Sequence, residues 1–297
     1  MYRIAILTGG TNAEREVALK SAHNVREALS GRFEIEVFDF PTGLEAFVSR
    51  HRLFEVAVPV FHGRGGEDGV VQGFLRTLGV PFVFSDVAAH ALAIDKEATK
   101  RLVSTHGIKT ADWVVVVPGE KLVFDHPVVV KPLDNGSSVG VVLVRTADEL
   151  DPALEDAFAH ASRVLVERLI QGREFTVAVV NTQALPVIEI RSKKDFFDFE
   201  SKYDPALCEE LCPAPIDNEL TSRLQEVALA AHCAIGARHL SRTDLIVDAL
   251  GEIWFLEINT IPGLTEHSLT PKAIRAAGLT LGDLLDGWIQ ETIRKTA

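Results

Sequence analysis

The chain has 297 residues, 30 of them Lys or Arg against 42 Asp or Glu, with a net charge of −12 and 47% hydrophobic residues. That length predicts two or three domains with cores of their own, and the acidic balance excludes a nucleic-acid binder, whose footprint is basic. No apolar run approaches the roughly 20 residues of a membrane span, and the four-residue apolar run ahead of Thr8, Gly9 and Gly10 is too short for a signal peptide.

In chain order, an apolar run at 3–7 reads as a strand, followed by a helical pattern from 14 to about 29. Strands follow at 35–38 and 56–60, then a helix at 70–78 with Val71, Phe74, Leu75 and Leu78 on its apolar face. Strands alternating with helices imply right-handed crossovers and a parallel sheet. Residues 1–86 are therefore expected to form a small doubly wound α/β domain. Its strand ends carry two glycine-rich turns, GGTNAEREV at 9–17 and FHGRGGEDGVVQG at 61–73. Gly63, Gly65, Gly66 and Gly69 permit close approach to an anion at a helix N-terminus. They fit an ordinary βα turn equally well, and His62 fits a core position. No G-x-G-x-x-G occurs, so a dinucleotide fingerprint is not present.

The pattern changes near 85–95. A helix is expected at 96–105, strands at 112–117, 128–131, 139–144, 164–167 and 175–180, and a helix at 148–160. Residues 87–180 read as a mainly antiparallel β/α domain. Residues 181–297 form a third β/α unit: a helix from 218 to about 235, a hairpin of strands 243–247 and 254–258 turning at 248–251, and closing helices at 271–277 and 281–293. The segment 192–215 is long, charged and irregular, and carries Lys193, Lys194, Lys202 and Tyr203. Such a loop in a compact domain serves function or is disordered. Three cysteines, Cys208, Cys212 and Cys233, cannot all pair and read as reduced thiols of a cytoplasmic protein. His232 and Cys233, neighbours on a helix, point apart and make a poor zinc pair.

Two segments carry the strongest chemistry. In VVVKPLDNGSSVG, 128–140, a buried strand ends in Lys131, and a turn with Ser137, Ser138 and two glycines follows. Backbone N–H groups and hydroxyls there suit a phosphate; a polar hairpin turn is the plain alternative. It is not a P-loop, since no G-x4-G-K-[ST] occurs. In EIWFLEINTIPGLTEHSL, 252–269, Glu257 and Asn259 lie two apart on a strand and share a face. Asp244 of the motif RTD lies on the preceding strand. Two carboxylates and an amide oxygen on adjacent strands suit Mg²⁺, although an acidic sheet face often meets solvent instead. Arg242, two before Asp244, would stand beside the ion and stabilise negative charge.

Taken in order, GGTNAEREV, HGRGGEDGVVQG, IDKEATK, VVVKPLDNGSSVG, VERLIQGREFTV, FFDFESKY, RTD and LEINTIPGLTEHSL resemble the motifs of the D-alanine–D-alanine ligases of the ATP-grasp superfamily, over nearly the whole chain. The resemblance implies an ATP-grasp fold of three domains and a cytoplasmic enzyme of peptidoglycan synthesis, with a homodimer as its usual assembly. ATP would phosphorylate the carboxylate of one D-alanine. The amine of a second would attack the acylphosphate, and a tetrahedral intermediate would collapse to D-alanyl-D-alanine and phosphate. Lys96, Lys131, Ser138 and Lys202 would face the ATP phosphates, and Glu167 and Glu174 the adenine and ribose. Asp244, Glu257 and Asn259 would hold a pair of Mg²⁺ ions, or Mn²⁺ in their place.

Arg242 and the backbone of Gly263 would stabilise the tetrahedral oxyanion. Glu14 would bind the first ammonium, with His62 near that alanine. Ser268, also a candidate helix N-cap, and Leu269 would line the second site. Glu14, Ser137 and Tyr203 resemble a trio that locks 192–215 as a lid. Tyr203 resembles the alanine-using enzymes rather than those using D-lactate. Departures occur at Ala18, Leu264, Phe197, Phe199 and PFVFSD, 81–86. They touch pocket hydroxyls and so bear on substrate preference: another second D-amino or hydroxy acid is the near alternative, a silent nucleotide-binding protein the remote one.

Overall fold

The computed structural model describes residues 1–133, 140–192 and 208–296. Strand β1 (Arg3–Gly9) lies between β2 (Glu34–Phe40) and β3 (Val56–Pro59), all parallel, in the order β2-β1-β3. Helices α1 (Arg15–Ala28), α2 (Leu44–Arg50) and α3 (Val70–Thr77) make the connections. β1 is buried on both faces, so its run is continuously apolar. Ile4 and Ile6 point into one core, and Ala5 and Leu7 into a second core rich in phenylalanine.

Two short helices, α4 (Val87–Ile94) and α5 (Lys96–Thr105), lead to the second sheet. Its strands are β4 (Trp113–Val116), β5 (Val128–Pro132), β6 (Val142–Val144) and β7 (Val164–Arg168), antiparallel in the order β4-β7-β5-β6. Helix α6 (Leu150–His160) buries Leu150, Ala153, Leu154 and Ala157 against Val128, Val130, Val144 and Val166.

The third sheet contains β8 (Gly172–Val180), β9 (Gln183–Ala184), β10 (Ile188–Ser192), β11 (Cys208–Leu211), β12 (Leu240–Asp248) and β13 (Ile253–Asn259). The order is β11-β10-β8-β12-β13, with β9 on β8, and every pairing is antiparallel. β8 pairs with β12 along its whole length, so the expected boundary at 180/181 falls between strands of one sheet. Helix α7 (Asn218–Ala234) covers the face formed by Phe175, Val177, Val179, Leu245 and Phe255. Within α7, His232 is buried on Ser241 Oγ at 2.7 Å while Cys233 is exposed, as adjacent helical positions require. The opposite face of the sheet carries Thr176 and Asp244.

Helices α8 (Leu269–Ala276) and α9 (Leu281–Thr296) close the fold. α9 returns to the first sheet, where Leu285, Trp288 and Ile289 share a core with Ile4, Ile6, Val56 and Val58. Trp288 also donates to Asn181 Oδ1 at 2.9 Å and stacks on His239. Among the described residues, no helix is long and apolar enough to cross a membrane.

Candidate active site

A cleft of about 1130 Å³ lies between the second and third sheets, with loops and α1 of the first domain at one end. Its floor is the β12–β13 pair. Arg242 stands opposite Asn259 and Asp244 opposite Glu257, so the period-2 geometry brings all four side chains to one face. Arg242 grips Asp244 with two parallel hydrogen bonds, Nε to Oδ1 at 2.9 Å and Nη2 to Oδ2 at 2.8 Å. Thr176 Oγ1 donates to Asp244 Oδ1 at 2.6 Å from the neighbouring strand. Burial disfavours the Arg242 charge, but Asp244, Glu257 and Glu67 outweigh it and hold the guanidinium firmly protonated. The donor set of Asp244, Glu257 and Asn259 is oxygen-only, two carboxylates and one amide, which is the chemistry Mg²⁺ selects. Among the described residues no site gathers three acidic, His or Cys groups; a cation here would complete its shell from ligands outside the protein.

The second sheet supplies the cationic wall. Lys131 is the penultimate residue of β5 and Glu167 lies diagonally across on β7, and the two form an ion pair. Lys96 opens α5, and its Nζ lies 3.7 Å from Glu257 Oε2. Glu174 enters the cleft from β8, on the face shared by Thr176.

The first domain closes the other end. Asn12 laces its two loops together, donating to the carbonyls of His62 at 2.8 Å and Arg64 at 3.1 Å and accepting from Glu14 N at 2.9 Å. Glu14 is thereby aimed at the cleft beside Gly63, where a Cβ would lie 2.2 Å from Glu14 Oε2. His62 is buried, and burial pushes its pKa down to about 4, so it is neutral. Its neighbours fix the tautomer. Leu264 N–H donates to Ser21 Oγ at 3.2 Å, Ser21 Oγ lies 3.0 Å from His62 Nε2, and His62 Nδ1 lies 3.2 Å from the Ile261 carbonyl. A carbonyl only accepts, so Nδ1 carries the proton and Nε2 accepts from Ser21. Gly263, Ser268 and Leu269 line the same end. Ser268 occupies the N-cap position of α8 without a capping bond, its hydroxyl pairing instead with Thr265 Oγ1 at 2.7 Å.

Every sequence-predicted site residue within the described regions thus lines this one cleft. Ser137, Ser138, Lys202 and Tyr203 lie outside the described residues. Two buried ionisable groups within the quoted motifs were not among the expected site residues. Glu67, inside the second glycine-rich turn, accepts from Gly63 N at 2.7 Å and Ile261 N at 3.3 Å. Burial and the Glu14 charge push its carboxyl up to about 8, against the pull of those N–H groups and Arg242. Lys100 lies one helical turn beyond Lys96 and is almost wholly buried. Its i, i+4 spacing from Lys96 was the available signal.

A family model described as D-ala D-ala ligase C-terminus matches residues 102–290. The D-alanine–D-alanine ligase of Syntrophotalea carbinolica is 42% identical over 288 residues, covering 96% of this chain and 94% of that one. That of Desulforudis audaxviator is 42% identical over 296 residues, 96% of each. Among solved structures, the Bacillus anthracis D-alanine–D-alanine ligase complexed with ATP superposes with a TM-score of 0.87 at 31% identity, over 100% of this chain and 99% of that one. The VanG D-Ala:D-Ser ligase of Enterococcus faecalis gives 0.82 at 30% identity, over 98% and 99%. The chain belongs to the D-alanine–D-alanine ligase family.

Proposed function

We propose that this protein is the ATP-dependent ligase that joins two D-alanines for peptidoglycan precursor synthesis. The observation that carries the reading is the convergence in one cleft of the Arg242–Asp244 pair, Glu257 and Asn259 with Lys96 and Lys131 on one side and Glu14 and His62 on the other. A carboxylate oxygen of the first alanine attacks the γ-phosphorus of ATP and ADP leaves. The amine of the second alanine attacks the acylphosphate carbon, loses a proton, and phosphate leaves with its bonding electrons. Lys96 and Lys131 bind and orient the triphosphate, and Glu174 the adenine and ribose, with Glu167 acting there through its ion pair with Lys131. Glu14 holds the first ammonium, and neutral His62 shapes that subsite without adding charge. Ser268 and Leu269 receive the second alanine. Arg242 and the Gly263 backbone stabilise the tetrahedral oxyanion.

Mg²⁺ held by Asp244, Glu257 and Asn259 supplies charge neutralisation at the phosphates. A homodimer and a cytoplasmic location belong to the same reading. So does the division into 1–86, 87–180 and 181–297, with β8 contributing to the third unit's sheet.

The test is a panel of second substrates, D-alanine, D-serine and D-lactate, offered with ATP, Mg²⁺ and D-alanine, and scored by phosphate release and product mass. D-alanyl-D-alanine as the main product is the expected result. The D-Ala:D-Ser ligase shares this fold, so the panel, not the fold, decides the second substrate. Another product in the absence of D-alanyl-D-alanine overturns the assignment.

A further inference from the structure

The nucleotide wall contains more charge than contact with ATP requires. Glu167 is buried between two lysines: its Oε2 pairs with Lys131, and its Oε1 lies 2.5 Å from Lys100 Nζ. The lysines differ in setting. Lys131 lines the cleft, whereas Lys100 does not reach it. Lys100 is fixed from behind. It donates to Thr110 Oγ1 at 2.5 Å, its Nζ lies 5.0 Å from the Trp113 ring centre, and Thr110 Oγ1 donates to the Phe255 carbonyl at 3.1 Å. Burial lowers its pKa against the pull of Glu167, while the two lysines hold the Glu167 carboxyl down in spite of burial. Lys131 is the lysine of the trio that faces the cleft, and Lys100 the one that lies behind it.

A lysine that is to meet a phosphate must first loosen its hold on Glu167. If Lys131 were the sole partner of Glu167, leaving would strand a buried carboxylate, the costly case for a buried ion pair. With Lys100 in place Glu167 keeps a counter-ion throughout. The geometry points to Lys100 as a positioning residue that frees Lys131 for the nucleotide by remaining behind as the permanent partner of Glu167. This inference rests on the nucleotide reading of the cleft.

The experiment measures ATP dissociation constants calorimetrically without alanine, and kinetics with it, for wild type, Lys100→Met, Lys100→Arg and the double variant Lys100→Met/Glu167→Gln. Lys100→Met should weaken ATP at least tenfold with the KM for D-alanine within threefold of wild type. Adding Glu167→Gln removes the charge that traps Lys131 and should recover at least threefold in ATP affinity. A merely structural role gives no such recovery. A loss below threefold in Lys100→Met, or an equal loss in the double variant, overturns the proposal. Should Lys100→Met fail to fold, Lys100→Arg decides: it retains the charge and should bind ATP within threefold of wild type, and a tenfold loss overturns the proposal. Wild-type protein that binds no ATP would instead refute the ligase reading itself.

Discussion

Replacing Glu67 by glutamine probes the least expected ionisable group in the cleft. The ordinary carboxyl value is 4.5, and in the fold it is pushed up to about 8, chiefly by burial and then by Glu14. Between those values the unfolded chain has lost the proton and the folded chain keeps it. The native state then binds more protons than the unfolded state, so this group's contribution is whole below pH 4.5 and is lost as pH rises toward 8. The loss is about 1.4 kcal/mol per pH unit. Glutamine has no such slope. It can accept from only one of the Gly63 and Ile261 N–H groups, a pH-independent cost of about 1–3 kcal/mol. Glu67→Gln should therefore be less stable than wild type at pH 5 and gain on it by about 3 kcal/mol by pH 7. Urea unfolding of both proteins at pH 5, 6, 7 and 8 measures the difference. A stability gap that stays constant over this range refutes a protonated Glu67.

Gly63→Ala would put a Cβ 2.2 Å from Glu14 Oε2 at a backbone φ of +72°. Glu14 must swing aside, so the KM for the first D-alanine should rise about tenfold or more, for about 1–2 kcal/mol of stability; unchanged steady-state kinetics would disprove the ammonium role of Glu14. Glu257→Gln should raise the Mg²⁺ concentration for half-maximal turnover about tenfold, since a neutral amide binds a hard cation poorly, with the thermal midpoint close to wild type; an unaltered Mg²⁺ titration argues against the metal assignment. Asp217→Ala removes the cap that accepts from Leu220 N at 2.8 Å at the start of α7. It should cost about 1 kcal/mol in a thermal melt and leave turnover intact; a large loss of turnover would mean that α7 does more than cover the sheet.

The floor of the cleft was legible because a strand places alternate residues on one face, so Arg242, Asp244, Glu257 and Asn259 could be grouped by their spacing along two paired strands. In the parallel first sheet, β1 and β3 were legible as continuous apolar runs. β11, Cys208–Leu211, was hidden because a short edge strand bearing Glu209 and Glu210 shows no apolar alternation. α4 was hidden because VAAHALAI is apolar almost throughout and shows no amphipathic period. Glu67 was hidden as a site residue, and Lys100 was marked only by its spacing from Lys96, for a deeper reason. A charge in sequence reads as surface, and only the tertiary partners, Gly63 and Ile261 for one and Glu167 for the other, make burial tolerable.

The return of α9 to the first sheet has a consequence for biosynthesis. While the chain is emerging from the ribosome, β1 and β3 are complete within the first 59 residues, yet the helix that shields Ile4, Ile6, Val56 and Val58 begins only at Leu281. For most of translation only Ala22, Val25 and Leu29, on and just after α1, cover that greasy side of the sheet, and the part that α9 will pack against stays open. The nascent protein must therefore be guarded until its last helix arrives, and a ribosome stalled before Leu281 would release a sticky, unfinished chain.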